Sequence, residues 1–67
     1  MFRVDARGLA CPEPIIELSA ALQANNEVEI TVDNFAAFEN CKRFAESHNH
    51  TLEIVKEAEE YVLVIKK

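Results

Sequence analysis

Glycine occurs once in this chain of 67 residues, proline twice and cysteine twice, and lysine and arginine form no block anywhere. Scarce glycine and proline exclude a low-complexity or disordered tail and favour regular elements. Two cysteines are too few for a disulfide framework. With a net charge of -5 and no basic run, the chain is not expected to meet nucleic acid or an anionic membrane directly. An acidic surface suits a basic partner protein, or simply stays solvated. No charged-then-apolar leader opens the sequence, so no signal peptide is expected. The longest apolar run, "YVLVI" at Tyr61–Ile65, is far too short to cross a bilayer. These absences together point to a reducing, cytoplasmic setting. The length allows one domain, residues 1–67, with a small core and a narrow margin of stability.

What is present is strongly patterned. Apolar residues make up 49% of the chain. "FRV" (Phe2–Val4) is short and β-prone, and "DARGLA" follows as a loop holding the one glycine, Gly8. From Pro12 to about Ala24 the spacing is helical, with Ile15, Leu18 and Leu22 on one stripe and Glu13 and Glu17 turned away. "VEITVD" (Val28–Asp33) alternates and reads as a strand. A second helix is expected from about Phe35 to His48, capped by Asp33 or Asn34. Ala37, Cys41, Phe44 and His48 form its inward stripe, and Asn49 suits a left-handed stop. "TLEIVKE" (Thr51–Glu57) and "YVLVIK" (Tyr61–Lys66) are two further strands joined through "AEE". The order is β-α-β-α-β-β. A right-handed parallel crossover followed by an antiparallel hairpin gives a two-layer α/β sandwich, two helices on one face of a four-stranded sheet.

The densest chemistry lies in "ARGLACPEPII". If Cys11 caps the first helix, Pro12 and Pro14 fall in the first turn, where a missing N–H costs nothing. The prolines would then fix where the helix starts. Glu13 would supply the one amide free to meet the Cys11 sulfur. A helix N-terminus favours negative charge and is a known setting for a reactive thiolate. The Glu13 carboxylate would oppose that effect. The bland alternative, a small capping or half-buried cysteine without chemistry, stands beside this one.

The wider string "DARGLACPEP" resembles the signature of the TusA/SirA-like sulfur-carrier family, an Asp, a Gly and a Cys-Pro-x-Pro at fixed spacing. Here those positions are Asp5, Gly8, Cys11, Pro12 and Pro14, with Glu13 between the prolines. "TVDN" and "ENCKRFAESHNH" further resemble the subgroup forming the N-terminal domain of YedF-type sulfurtransferase-like proteins linked to selenium metabolism. The departures are Asn49, where that subgroup often has glycine, and Cys41, where it often has a β-branched residue. The resemblance implies a mixed sheet of order 1-2-4-3 and a persulfide carried on Cys11, supported by Asp5, Gly8, Pro12, Glu13 and Pro14. It implies a donor, a cysteine desulfurase or rhodanese-like protein, and an acceptor protein, with no cofactor and no metal. Whether the protein counts as an enzyme, a sulfurtransferase, stays open. YedF-type proteins usually continue into a second domain, so an excised domain and a free-standing carrier are both compatible with it. The alternatives are a non-catalytic interaction module and a selenium-handling variant.

The remaining residues read mostly as structure. Cys41 is expected to be a buried apolar thiol rather than a second reactive one. A Cys11–Cys41 bridge would need Cα atoms within about 7 Å, closer than a helix tip and a neighbouring helix interior are expected to lie. His48 and His50 lack the paired cysteines of a zinc site and suit the helix C-terminus. Asp5 is expected to hold the amides of Gly8 and Leu9 rather than act as a base. Arg7 is a solvated arginine, or attracts an anionic sulfur or a partner's acids. Phe35 and Ile16 are expected to be exposed, and with Leu9 could form a docking surface.

Overall fold

The protein is described by a computed structural model covering residues 1–10 and 12–67. Six elements follow one another: β1 (Phe2–Asp5), α1 (Glu13–Ala24), β2 (Glu27–Val32), α2 (Phe35–Ser47), β3 (Thr51–Glu57) and β4 (Tyr61–Lys66). The strands form one sheet in the order β1-β2-β4-β3. β1 runs parallel to β2, Phe2 opposite Val28 and Asp5 opposite Thr31. β4 is antiparallel to both β2 and β3. The order and the α+β layering are those expected from the sequence. Among the described residues no helix is long and apolar enough to cross a membrane.

The core follows from the two periodicities. Val28, Ile30 and Val32 alternate along β2 and are fully buried, as are Leu63 and Ile65 on β4. α1 adds Pro14, Leu18, Ala21 and Leu22, and α2 adds Ala37, Phe38, Cys41 and Ala45. Burying a side chain as large as Phe38 contributes roughly 1.5–3 kcal/mol. The other sheet face is mostly polar, with Val62 and Val64 of β4 between polar and charged neighbours, and carries the ion pairs Arg3–Glu29 and Lys66–Glu27. β3 is an edge strand with a register shift between Ile54 and Lys56, a common guard against edge-to-edge pairing.

Two helical stripes are rotated from the expected ones. In α2, Phe38 and Ala45 are buried, while Phe44 is half-buried and His48 is exposed. Both stripes satisfy a three-or-four spacing, and the sheet selects the one that stacks Phe38 on Tyr61, ring centroids 4.6 Å apart. In α1, Pro14 is buried and Ile15 only half-buried. The expected stop is present: Asn49 has φ 58, and the His50 amide donates to the Ala45 carbonyl at 2.9 Å.

The register gathers three connections at one end of the sheet. With Asp5 opposite Thr31 and Val32 opposite Tyr61, the loop 6–10, the β2–α2 junction and the β3–β4 turn are neighbours.

Candidate functional site

The loop leaving β1 is anchored at once. Ala6 is fully buried, and its amide donates to the Thr31 carbonyl at 2.8 Å. Arg7 then folds back on Asp5. Its amide and Nε donate to Asp5 Oδ1 at 3.1 and 2.9 Å, and Nη2 donates to Oδ2 at 2.9 Å. Its Nη1 donates to Glu60 Oε2 on the β3–β4 turn at 3.0 Å. The Arg7 side chain, and then its amide, hold the Asp5 carboxyl down at about 2, and the two acids push the guanidinium up in return. A carboxylate held this low is a poor proton acceptor, and its three bonds to Arg7 give Asp5 a structural place in the loop. It does not hold Gly8 and Leu9, contrary to the expectation from sequence: its loop amide is that of Arg7.

Gly8 is held instead by Asp33, whose Oδ2 accepts the Gly8 N–H at 2.9 Å. Gly8 has φ 80, and a Cβ built there would meet nothing within 4 Å. The glycine is required by the left-handed backbone and not by a close approach. Leu9 is half-buried against the core, and its amide reaches the Ala6 carbonyl at 3.4 Å.

α1 begins one residue later than expected. Its N-cap is Pro12, without a side-chain cap, and Glu13 and Pro14 are the first helical residues. The Glu13 amide donates to the Ala10 carbonyl at 2.9 Å, and those of Ile15 and Ile16 both reach the Pro12 carbonyl at 3.1 Å. The Glu13 N–H is therefore not free for a sulfur, which corrects the donor proposed from sequence. Pro12 and Glu13 are exposed, whereas Pro14 is buried. Cys11 itself lies outside the described residues, and with it the expected cap, its exposure and its distance to Cys41.

Cys41 is fully buried, and burial pushes its thiol up to about 11. His48 Nδ1 lies 2.9 Å from the Phe44 carbonyl, so this histidine does serve the end of α2, with His50 stacked beside it at a centroid distance of 5.9 Å. No three His, Cys, Asp or Glu side chains among the described residues are grouped to hold a metal. Ile16 and Phe35 are exposed as expected, at 60% and 58%. Ile16 borders an open apolar depression of about 410 Å³ with Ile15, Ala20 and Phe44, while Phe35 meets the edge of Tyr61.

Asp33, expected only as an alternative cap of α2, holds Gly8 instead, and this is the contact that the sequence reading missed. The signal was available in "TVDN". Two adjacent residues can each cap α2, only one does, and the carboxylate of the other is free for a second task. Asn34 is the cap, its Oδ1 accepting the Ala37 amide at 2.8 Å.

The same chain is similar to known proteins over its whole length. A family model described as "Sulfurtransferase TusA" matches residues 2–67. A protein of Methanocaldococcus jannaschii named "Putative sulfur carrier protein MJ0990" is 38% identical over 71 residues, covering 100% of this chain and 95% of that one. The crystal structure of a SirA-like protein from Desulfitobacterium hafniense superposes with a TM-score of 0.88 at 28% identity, covering 98% of this chain and 96% of that one.

Proposed function

The chain belongs to the TusA sulfurtransferase family, and from that premise we infer that it is a sulfur carrier whose cargo is held on Cys11 as a persulfide. The observation that carries the choice of sulfur is the state of the other one. Cys41 is fully buried and its thiol is pushed up to about 11, whereas transfer needs a thiolate that can meet another protein's sulfur. Cys11 is the remaining cysteine, placed in sequence between an anchored loop and an exposed helix start.

The exchange needs no external oxidant or reductant. The Cys11 thiolate attacks the outer sulfur of a donor persulfide, R–S–SH. The donor's S–S bond breaks as the new one forms, R–S⁻ leaves, and Cys11 becomes Cys–S–SH. An acceptor's thiolate repeats the step on Cys11. A cysteine desulfurase or a rhodanese-like protein would serve as donor. Around the cysteine, Asp5 immobilises Arg7, Gly8 supplies the left-handed turn, Pro12 and Pro14 fix the helix start, and Glu13 closes the turn onto Ala10. Residues 1–67 act as one carrier domain, and a reducing cytoplasm suits its cargo. The finer likeness to the YedF-type subgroup rests on "TVDN" and "ENCKRFAESHNH", and supports a selenium-linked version of the same relay as a second reading.

The test is transfer of labelled sulfur from a desulfurase to the wild type, Cys11→Ser and Cys41→Ala. Label is expected on the wild type and on Cys41→Ala, and none on Cys11→Ser. Label surviving in Cys11→Ser would move the carrier role to Cys41. Failure of all three to gain label would favour the interaction module, and uptake of labelled selenium in preference to sulfur would favour the second reading.

A further inference from the structure

We propose that Asp33 is the positioning residue of the cysteine loop, fixing from the end of β2 the backbone conformation in which Cys11 reacts. This rests on the carrier reading above and adds a residue outside the Asp-Gly-Cys-Pro-Pro string that suggested it. The Asp33 carboxylate takes the Gly8 amide at 2.9 Å, three residues before Cys11 in the sequence, where the backbone is left-handed at φ 80. A carboxylate acceptor makes a stronger bond than a neutral one.

The Ala6 amide on the Thr31 carbonyl at 2.8 Å anchors where the loop leaves β1; past that point the other restraints are weaker or internal to the loop. The Arg7–Asp5 contacts fasten two residues two apart. The Arg7–Glu60 ion pair joins side chains 51% and 35% exposed, a setting in which such pairs contribute little and are screened by salt. The Leu9–Ala6 bond is long, at 3.4 Å. Asp33 Oδ1 also faces Asn34 Nδ2 at 3.4 Å, and Asn34 Oδ1 holds the Ala37 amide at 2.8 Å. The loop and the start of α2 are thus each held by one of two adjacent side chains, Asp33 and Asn34. Gly8 stands three residues before Cys11 in the sequence, and the Glu13 amide on the Ala10 carbonyl at 2.9 Å closes the segment from the other side, so a shift of the Gly8 backbone has only a short stretch over which to relax, and misplacing a reacting atom is costly in rate.

The experiment compares the wild type, Asp33→Ala and Asp33→Asn in three readouts: hydrogen exchange at the Gly8 amide, alkylation of each cysteine in the native state, and sulfur transfer at saturating donor. Asp33→Ala is expected to speed Gly8 exchange and to lower the transfer rate constant about tenfold, the lower end of what one hydrogen bond to a charged group supplies. The half-saturating donor concentration should stay the same, Cys11 alkylation should change by a similar factor, and Cys41 should remain unlabelled. Asparagine keeps an acceptor for Gly8, so Asp33→Asn should recover most of the loss. Three results would overturn the proposal: wild-type transfer by Asp33→Ala, an Asn variant no better than the Ala variant, or Cys41 labelling that rises in parallel with any change at Cys11. If the wild type accepts no sulfur, the carrier reading fails, and Gly8 exchange with Cys11 alkylation still decides the role of Asp33.

Discussion

At the start of α2 an asparagine side chain takes the Ala37 amide at 2.8 Å. At the start of α1 the N-cap is Pro12, which makes no side-chain cap, and among the described residues the first turn instead uses up its own donors. Glu13 donates to Ala10, Pro14 has no N–H, and Ile15 and Ile16 share the Pro12 carbonyl. Both solutions satisfy the amides that every helix start exposes, but they constrain the sequence differently. The α2 solution requires a polar side chain at the cap. The α1 solution places prolines at positions 12 and 14, directly after Cys11 in the sequence. The same saturation removes the Glu13 amide as a stabiliser of a thiolate, and leaves the helix dipole as the general influence at this end.

Each helix start also sends one bulky group into the core, and the two largest expected effects test that symmetry. Phe38, in the first turn of α2, is 1% exposed and stacked on Tyr61. Phe38→Ala should cost about 4 kcal/mol, most of the stability of so small a domain, and denaturant titration measures it. A cost below about 1 kcal/mol would mean that the aromatic stack is not what seats α2. Pro14 is the counterpart in α1 and is among the fully buried side chains. Pro14→Ala should cost about 2 kcal/mol, from lost apolar burial and the cavity left behind together with a freer unfolded chain. A negligible change would show that its ring only shapes the backbone, the role that the sequence alone suggested for it.

That difference marks where the sequence stops being legible. Strand alternation in "VEITVD" can point to one core face only, because the period of two leaves no choice of rotation, and its pairing with "YVLVIK" then selects Leu63 and Ile65 from that continuous apolar run. Helices have that choice: a stripe through Ala37, Cys41 and Phe44 and one through Phe38, Cys41 and Ala45 fit the same spacing. Only the partner across the sheet, Tyr61, decides between them. Loop partners are harder still. Asp5 and Asp33 are both acidic residues at strand ends, and which of them meets Gly8 depends on β1 lying beside β2. The Asp-Gly-Cys-Pro-Pro string drew attention to Asp5, while the bond to Gly8 comes from a residue 25 positions away.

The thiols divide along the same line as the helix starts, Cys11 preceding α1 and Cys41 lying within α2. Burial raises the Cys41 thiol from an ordinary 9.0 to about 11. Between those values the unfolded chain has lost a proton that the folded chain keeps. The stabilisation is therefore complete below pH 9 and is lost as the pH rises through 9 towards 11. Denaturant midpoints of the wild type should fall across that interval more steeply than those of Cys41→Ala. Parallel curves would mean that Cys41 titrates while folded, and the argument for Cys11 as the sulfur in use would lose its main support.

The smallest effect is expected at Pro12. Its ring is exposed, and its carbonyl, which accepts from both Ile15 and Ile16, is kept by any replacement. Pro12→Ala therefore removes no packing and no native hydrogen bond. What changes is the unfolded chain, which gains backbone freedom worth about 0.4–1 kcal/mol. Measured beside Pro14→Ala, this variant separates two adjacent roles of one short motif, the ring that packs and the ring that only restricts. A loss at Pro12 as large as that at Pro14 would mean that the cap residue anchors α1 by more than its carbonyl, and the contrast with the side-chain cap of α2 would have to be redrawn.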